Sequence, residues 1–176
     1  PVNHMSLVIT LHGQDGIVMA SDSRITFNNT ISRNGQDVVQ FGISQTDTTY
    51  KTFLGRAGIG ISAFGDATIN GAPISGYIEF FLNQVVTETT ELEEVPHLLV
   101  EFFQNTPVIP TTGFHVAGYK MTPEGPQQRI WRCFSSGKSI IDTVPTLQKQ
   151  GALWNGEQDI LTRLVNQNIY IKGQND

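Results

Sequence analysis

The spacing of apolar and polar positions changes several times along this chain, and each change marks an element. Leu7, Ile9 and Leu11 alternate with Ser6, Val8 and Thr10 in the two-residue period of a strand, and His12-Gly13-Gln14-Asp15-Gly16 makes a turn before the run Ile17-Val18-Met19-Ala20. This pattern predicts a β-hairpin. Residues 27 to 50 are rich in Asn, Gln, Ser, Thr and Gly with scattered apolar positions, which predicts a long loop or an irregular strand pair. Thr52-Phe53-Leu54 and Ile59 to Phe64 flank Gly55-Arg56-Ala57-Gly58 as a second hairpin, closed by Gly65-Asp66.

The period then becomes helical. Ile74, Tyr77, Ile78, Phe81, Leu82 and Val85 fall on one helix face, and Val95, Leu98, Leu99, Phe102 and Phe103 repeat the spacing, with Pro96 in the first turn and Pro107 and Pro110 ending the pattern. Strands return at 113–119 and 128–134, joined across Thr122-Pro123-Glu124-Gly125-Pro126 as a third hairpin. The signal weakens after Ser135-Ser136-Gly137, and Ile160, Leu161, Leu164 and Val165 mark a further amphipathic helix after Asn155-Gly156. Hairpins, a helical pair, another hairpin and a helix describe an α+β protein with antiparallel sheets and segregated helices.

Composition narrows the function classes. The 176 residues are 39% hydrophobic and 15% charged, with a net charge of −5, and a chain this long buries about 70% of its unfolded surface, enough for a core without disulfides. Cys133 is the single cysteine. No Cys/His set has metal-ligand spacing and no cofactor motif appears, so no metal and no cofactor is expected. The eleven Lys and Arg residues are scattered from Arg24 to Lys172, which argues against nucleic acid as a partner. An apolar run of about 20 residues and a charged-then-apolar leader are both missing, so no membrane partner and a cytoplasmic location are expected. The sequon Asn28-Asn29-Thr30 accordingly reads as a polar loop. Pro1-Val2-Asn3-His4 precede Met5 and read as an expression-tag remnant before an initiator Met. Removal of Met5 before the small Ser6 then leaves one domain over residues 6–176 that begins with a hydroxyl-bearing residue.

Singly, the histidines His12, His97 and His115 read as structural, and Cys133 with His115 is a weak candidate thiol nucleophile and base. A more specific pattern spans several blocks. Ser6-Leu7-Val8-Ile9-Thr10-Leu11, then Gly16 to Arg24 with Asp22-Ser23-Arg24, Lys51-Thr52-Phe53, Ala63-Phe64-Gly65-Asp66-Ala67, Phe114 to Tyr119, and Ser135-Ser136-Gly137 follow one another in order. In this order they resemble the proteasome β subunits of bacterial or archaeal type, which are N-terminal-nucleophile hydrolases. The sixteen residues from Ser6 to Asp22 and the fourteen from Lys51 to Gly65 are the family's intervals.

The resemblance implies a four-layer α-β-β-α sandwich and a peptidase of the threonine-protease type acting on peptides or unfolded proteins. It further implies a homo-oligomeric ring, with an ATPase partner left open. It also implies the roles. Ser6 attacks, Asp22 holds Lys51, Lys51 keeps the terminal amine in its proton-accepting form, the Gly65 N–H receives the oxyanion, and Ser136 positions the amine. Ile25, Thr26, Ala63 and Ala67 correspond to positions lining the substrate channel and side-chain pocket, whose small, apolar character implies uncharged substrate side chains.

Three departures accompany it. The nucleophile is serine rather than threonine, the stretch from Asp22 to Lys51 is longer than usual, and Asp159 with Thr162 does not fit the family's later Asp-x-x-Ser segment. The C-terminal part of the fold is therefore expected to be shortened. The alternative reading is a catalytically inactive proteasome-like structural or binding subunit, and a third is an amidohydrolase or peptide ligase on the same scaffold.

Overall fold

The computed structural model describes residues 6–33, 36–46, 48–137, 139–143 and 150–156; within Ile25–Arg33 and Gln36–Thr46 it describes the backbone. Twelve strands β1 to β12 and two helices occur in them. The hairpin expected at the start is present as β1 (Leu7–Gly13) and β2 (Gly16–Ser21). Of the two alternatives for residues 27–50 the strand pair is found, as β3 (Ile25–Arg33) and β4 (Gln36–Thr46), and the irregularity is a break in register between Phe27 and Asn29. β5 (Thr52–Leu54) and β6 (Gly60–Gly65) form the second hairpin, and two short strands, β7 (Thr68–Ile69) and β8 (Ala72–Pro73), lead into the first helix.

That helix, α1 (Ile74–Phe80), ends in a wider π turn, Phe81–Val85, where the Val86 N–H reaches the Phe81 carbonyl at 3.1 Å, five residues back. The extra residue in the turn shifts the apolar face by one position. The helical period places Val85 inward, whereas the fold buries Val86 and leaves Val85 half-buried. The second helix, α2 (Val95–Gln104), follows a 3₁₀ turn at Leu92–Glu94 and carries Pro96 in its first turn. That turn is tied by the Glu94 carboxylate, which accepts the Glu91 N–H at 3.1 Å.

β9 (Thr112–Thr122) and β10 (Gly125–Phe134) make the third hairpin, with longer strands and a tighter turn than the sequence pattern indicates. Two strands unread in the sequence follow, β11 (Ser139–Thr143) and β12 (Gly151–Gly156). The helix expected at residues 160–165 and the leader at 1–5 lie outside the described residues.

Eight of the strands assemble into a three-stranded sheet, β12-β1-β2, and a five-stranded sheet, β11-β10-β9-β6-β5, while β3–β4 and β7–β8 form two-stranded sheets, all antiparallel. The helices pack on one face of the larger sheet. Ile78, Phe81, Val95, Leu99 and Phe103 meet Ile61, Phe114, Val116, Trp131 and Cys133 there in one buried cluster, where each large side chain contributes about 1.5–3 kcal/mol by leaving water. Phe103 and Phe114 bring helix and sheet to a ring separation of 4.8 Å.

The opposite face of the larger sheet packs on the smaller one. Val8, Thr10, His115 and Ile130 are fully buried outside the helix-side cluster. Polar ties cross the two sheets: Thr10 Oγ1 lies 2.9 Å from His115 Nδ1, and His115 Nε2 lies 2.9 Å from Asn155 Oδ1. The amide oxygen only accepts, so Nε2 carries the proton and Nδ1 accepts from the Thr10 hydroxyl. The Gln128 amide donates to the Gly13 carbonyl at 2.7 Å farther along. The described layers are therefore helices, sheet and sheet, with Leu11 and Val18 exposed on the smaller sheet.

Candidate active site

The first residue of the described chain sits where the two sheets open. Ser6 precedes β1 and is 6% exposed; Asp22 follows β2 directly opposite Leu7, with the Asp22 N–H donating to the Leu7 carbonyl at 2.9 Å. The carboxylate turns back to accept the Leu7 N–H at 2.8 Å through Oδ1 and the Arg24 N–H at 3.2 Å through Oδ2. Strand pairing thus carries Asp22 to Ser6 across sixteen residues of sequence. Lys51 arrives from the other sheet, immediately before β5, where its carbonyl accepts the Ala63 N–H at 2.8 Å.

The Lys51 side chain is 7% exposed, and its ammonium is the hub of the cluster. Nζ lies 2.9 and 3.0 Å from the two Asp22 oxygens, 2.6 Å from the Arg24 carbonyl and 3.3 Å from Ser6 Oγ. Its three N–H groups therefore serve the carboxylate, the carbonyl and the serine hydroxyl. A buried ammonium requires such compensation, because desolvation of the charge costs several kcal/mol when it is unpaired. The pair with Asp22 serves that need; the remaining donor aims at Ser6.

Gly65, Ala63 and Ala67 line one small cavity with Ser6 and Lys51, closed further by Thr49 and Ile74, with a volume of about 20 Å³. That is room for a water molecule. Gly65 has φ +99°, and a Cβ there would stand 2.3 Å from the Thr111 carbonyl oxygen, so glycine is required at this bend. A second such contact was not read from the sequence. Gly156, at the end of β12 with φ +100°, lies opposite Leu7, and a Cβ would fall 1.5 Å from the Ser6 carbonyl oxygen. The Asn155-Gly156 pair, a turn signal in sequence, here packs a backbone against the residue that carries the hydroxyl.

The remaining expected residues are placed as follows. Ser136 lies on the exposed turn after β10, and none of the described hydrogen bonds of Ser6, Asp22 or Lys51 involves it. Ile25 and Thr26 begin β3, one and two residues beyond Arg24. The weak Cys133–His115 pair does not form. The two residues occupy opposite faces of their sheet, Cys133 in the helix-side core and His115 between the sheets, and burial pushes the thiol up to about 12. Burial is also the main cause that holds His115 below its ordinary value, with the Asn155 hydrogen bond opposing it and the Arg132 charge reinforcing it. Among the described residues no three His, Cys, Asp or Glu side chains come together as a metal site, and no helix is long and apolar enough to cross a membrane.

Among solved structures the chain is similar to Anbu from Hyphomicrobium sp. strain MC1, a proteasome-like protein. The TM-score is 0.54 at 16% sequence identity, and the match covers 89% of this chain and 65% of that one. The fold is proteasome-like. The chain spans somewhat less than two thirds of the length of that protein. No family model matches the sequence, and no curated protein matches it.

Proposed function

We propose that the chain is a proteasome-like peptidase whose nucleophile is Ser6, exposed as the first residue of the mature domain. The observation that carries this reading is the Lys51 ammonium, held by Asp22 and the Arg24 carbonyl, with its third donor 3.3 Å from Ser6 Oγ. A purely structural buried ion pair has no need to spend a donor on the residue at the head of β1, and the proteasome-like fold supports the same reading.

In this mechanism the free α-amino group of Ser6 takes the hydroxyl proton as Oγ bonds to the substrate carbonyl carbon. An α-amino group has an ordinary pKa of about 7.7–8.0, and a neighbouring ammonium favours its neutral, proton-accepting form. Oxyanion charge collects on the carbonyl oxygen and receives the Gly65 N–H, a type of contact worth about 10²–10³ in rate. The protonated α-amine of Ser6 then passes that same proton to the leaving amine as the tetrahedral intermediate collapses and the C–N bond breaks, leaving an ester on Ser6 while Lys51 stays charged. Water, deprotonated by the same amine, releases the acid. Ala63 and Ala67, being small and apolar, favour uncharged substrate side chains next to the cleaved bond, and Ile25 and Thr26 are proposed to belong to the channel lining. Ser136 is proposed to reach the amine in the assembled protein. The domain is proposed to complete a four-layer sandwich and to assemble as a homo-oligomeric ring.

The test is hydrolysis of short fluorogenic peptides by protein trimmed to Ser6, by its Ser6→Ala variant, and by protein that retains residues 1–5. Turnover is expected from the trimmed form alone. With Met5 attached, the nitrogen of Ser6 is an amide whose lone pair is delocalised into the carbonyl. Turnover by Ser6→Ala would remove Ser6 from the mechanism, and no turnover by the trimmed form would favour the inactive-subunit reading.

A further inference from the structure

Gly65-Asp66 is an ordinary turn pair in sequence, but at the end of β6 it carries the proposed oxyanion donor. Successive N–H groups of a strand point to opposite edges. The Ala63 N–H donates to the Lys51 carbonyl at 2.8 Å, so the Gly65 N–H, two residues on, faces the same edge, where Ser6, Lys51 and Gly65 line one cavity. That direction is kept only while the bend behind it is held, and at φ +99° the chain turns out of the sheet at this residue.

The register shows what holds it. Gly65 is opposite Thr112, so the next rung of the β6–β9 ladder falls between Asp66 and Thr111. Half of that rung is ordinary, with the Asp66 N–H donating to the Thr111 carbonyl at 3.1 Å. In the other half a side chain replaces the backbone. The Thr111 N–H donates to Asp66 Oδ2 at 2.7 Å, and the displaced Asp66 carbonyl accepts the Thr112 hydroxyl at 3.1 Å. Three hydrogen bonds therefore close a bracket directly behind Gly65. The frame they close on is itself fixed. Thr112 is 1% exposed, its carbonyl accepts the Ser135 N–H at 3.0 Å, and the fully buried Ser135 hydroxyl donates to the Pro110 carbonyl at 2.6 Å. Asp66 is half-buried and Thr111 exposed, and neither belongs to the core cluster, so the bracket shapes the edge of the site rather than the core of the fold.

We propose that Asp66 is a positioning residue for the oxyanion contact: its carboxylate and its carbonyl fasten the Gly65–Asp66 bend to Thr111 and Thr112, and the fastened bend aims the Gly65 N–H at the carbonyl oxygen attacked by Ser6. The inference rests on the reading of Ser6 as nucleophile and Gly65 as donor, and adds the residue that orients the donor. Asp66 acts by accepting a hydrogen bond rather than by its charge, so the amide oxygen of asparagine can take its place. An oxyanion donor gains its strength as charge develops on the carbonyl oxygen, so loosening it lowers turnover more than substrate binding.

The experiment compares protein trimmed to Ser6 with its Asp66→Ala, Asp66→Asn and Thr112→Val variants. Thermal melting verifies that each is folded. Initial rates on short fluorogenic peptides give kcat and KM, and NMR follows hydrogen exchange at the Asp66 and Thr111 amides. Asp66→Ala is expected to lower kcat by about tenfold or more, the scale for a displaced group at a reacting centre, with KM changed by less than about twofold. Exchange at both amides is expected to rise by about tenfold or more in the same variant, because the bend opens locally. Asp66→Asn is expected to keep kcat within about threefold of the parent and to preserve both exchange rates. Thr112→Val removes the hydroxyl and keeps the shape; it is expected to lower kcat in the same sense by a smaller factor, and it decides the matter if Asp66→Ala does not fold. Parental kcat in Asp66→Ala and Thr112→Val, equal losses in Asp66→Asn and Asp66→Ala, or unaltered exchange in Asp66→Ala would each overturn the proposal. An inactive trimmed parent would remove the Ser6 reading and the oxyanion role together, and the exchange rates, which do not depend on turnover, tell that outcome from a failure of the bracket.

Discussion

Lys51 Nζ stands 3.3 Å from Ser6 Oγ although the two residues come from different sheets, and Asp22 holds the lysine there with both carboxylate oxygens. In the proposed reaction this ammonium tunes the base and orients the nucleophile. Lys51→Ala should lower kcat/KM by far more than tenfold, the equivalent of about 1.4 kcal/mol of transition-state stabilisation. Initial rates on the trimmed protein check this, with far-UV circular dichroism as the control for folding. A loss below tenfold would leave Lys51 with a structural role only.

Gly156 offers a test of the second backbone contact on Ser6. With φ +100° and a Cβ position 1.5 Å from the Ser6 carbonyl oxygen, Gly156→Ala forces either β12 or the head of β1 to move. The expected result is a stability loss of about 1–3 kcal/mol, the usual range for a residue held in an unfavourable backbone region, with turnover falling alongside it. Urea midpoints and rates measured on one preparation check both. An unchanged midpoint would show that the Ser6–Gly156 contact is not rigid.

His115 predicts how stability depends on pH. Its native pKa lies below the ordinary 6.5, chiefly through burial, so the folded state favours the neutral ring and the unfolded state takes up the proton first. The His115 contribution is full above about pH 6.5 and declines as pH falls from there toward the lower native pKa. Urea midpoints at pH 7.5 and 5.5 should show a loss in the wild type. His115→Gln should be less stable at pH 7.5 and lose less on acidification. Equal pH slopes for the two proteins would contradict the assignment.

Cys133 should be inert in the native protein. Its thiol is fully buried and pushed up to about 12, so little thiolate exists at pH 8. A thiol-specific chromogenic reagent should label it only after denaturant is added, and alkylating reagents should leave peptide hydrolysis unchanged. Rapid native labelling would show that the helix-side core opens.

Much of the fold was legible because its elements are short and strongly patterned. The hairpins at β1–β2, β5–β6 and β9–β10 and both helices follow from alternation, helical spacing and turn residues, all of them local signals. β11 and β12 were not legible, since Ser139–Thr143 and Gly151–Gly156 are brief and weakly alternating; each is a strand because a neighbour supplies its hydrogen bonds. The one-residue shift from Val85 to Val86 was equally hidden, because a π turn is a response to packing.

The candidate site divides in the same way. Ser6, Asp22, Lys51 and Gly65 stood out by their intervals, which residue order alone determines. That Lys51 reaches Ser6, that Gly156 presses on the Ser6 carbonyl, that Ser136 lies on an exposed turn, and that His115 and Cys133 face opposite ways were decided only by the stacking of two sheets. A strand's sequence specifies which residues share a face. The partner of that face is set by contacts between segments far apart in the chain, and these depend on every packed layer at once.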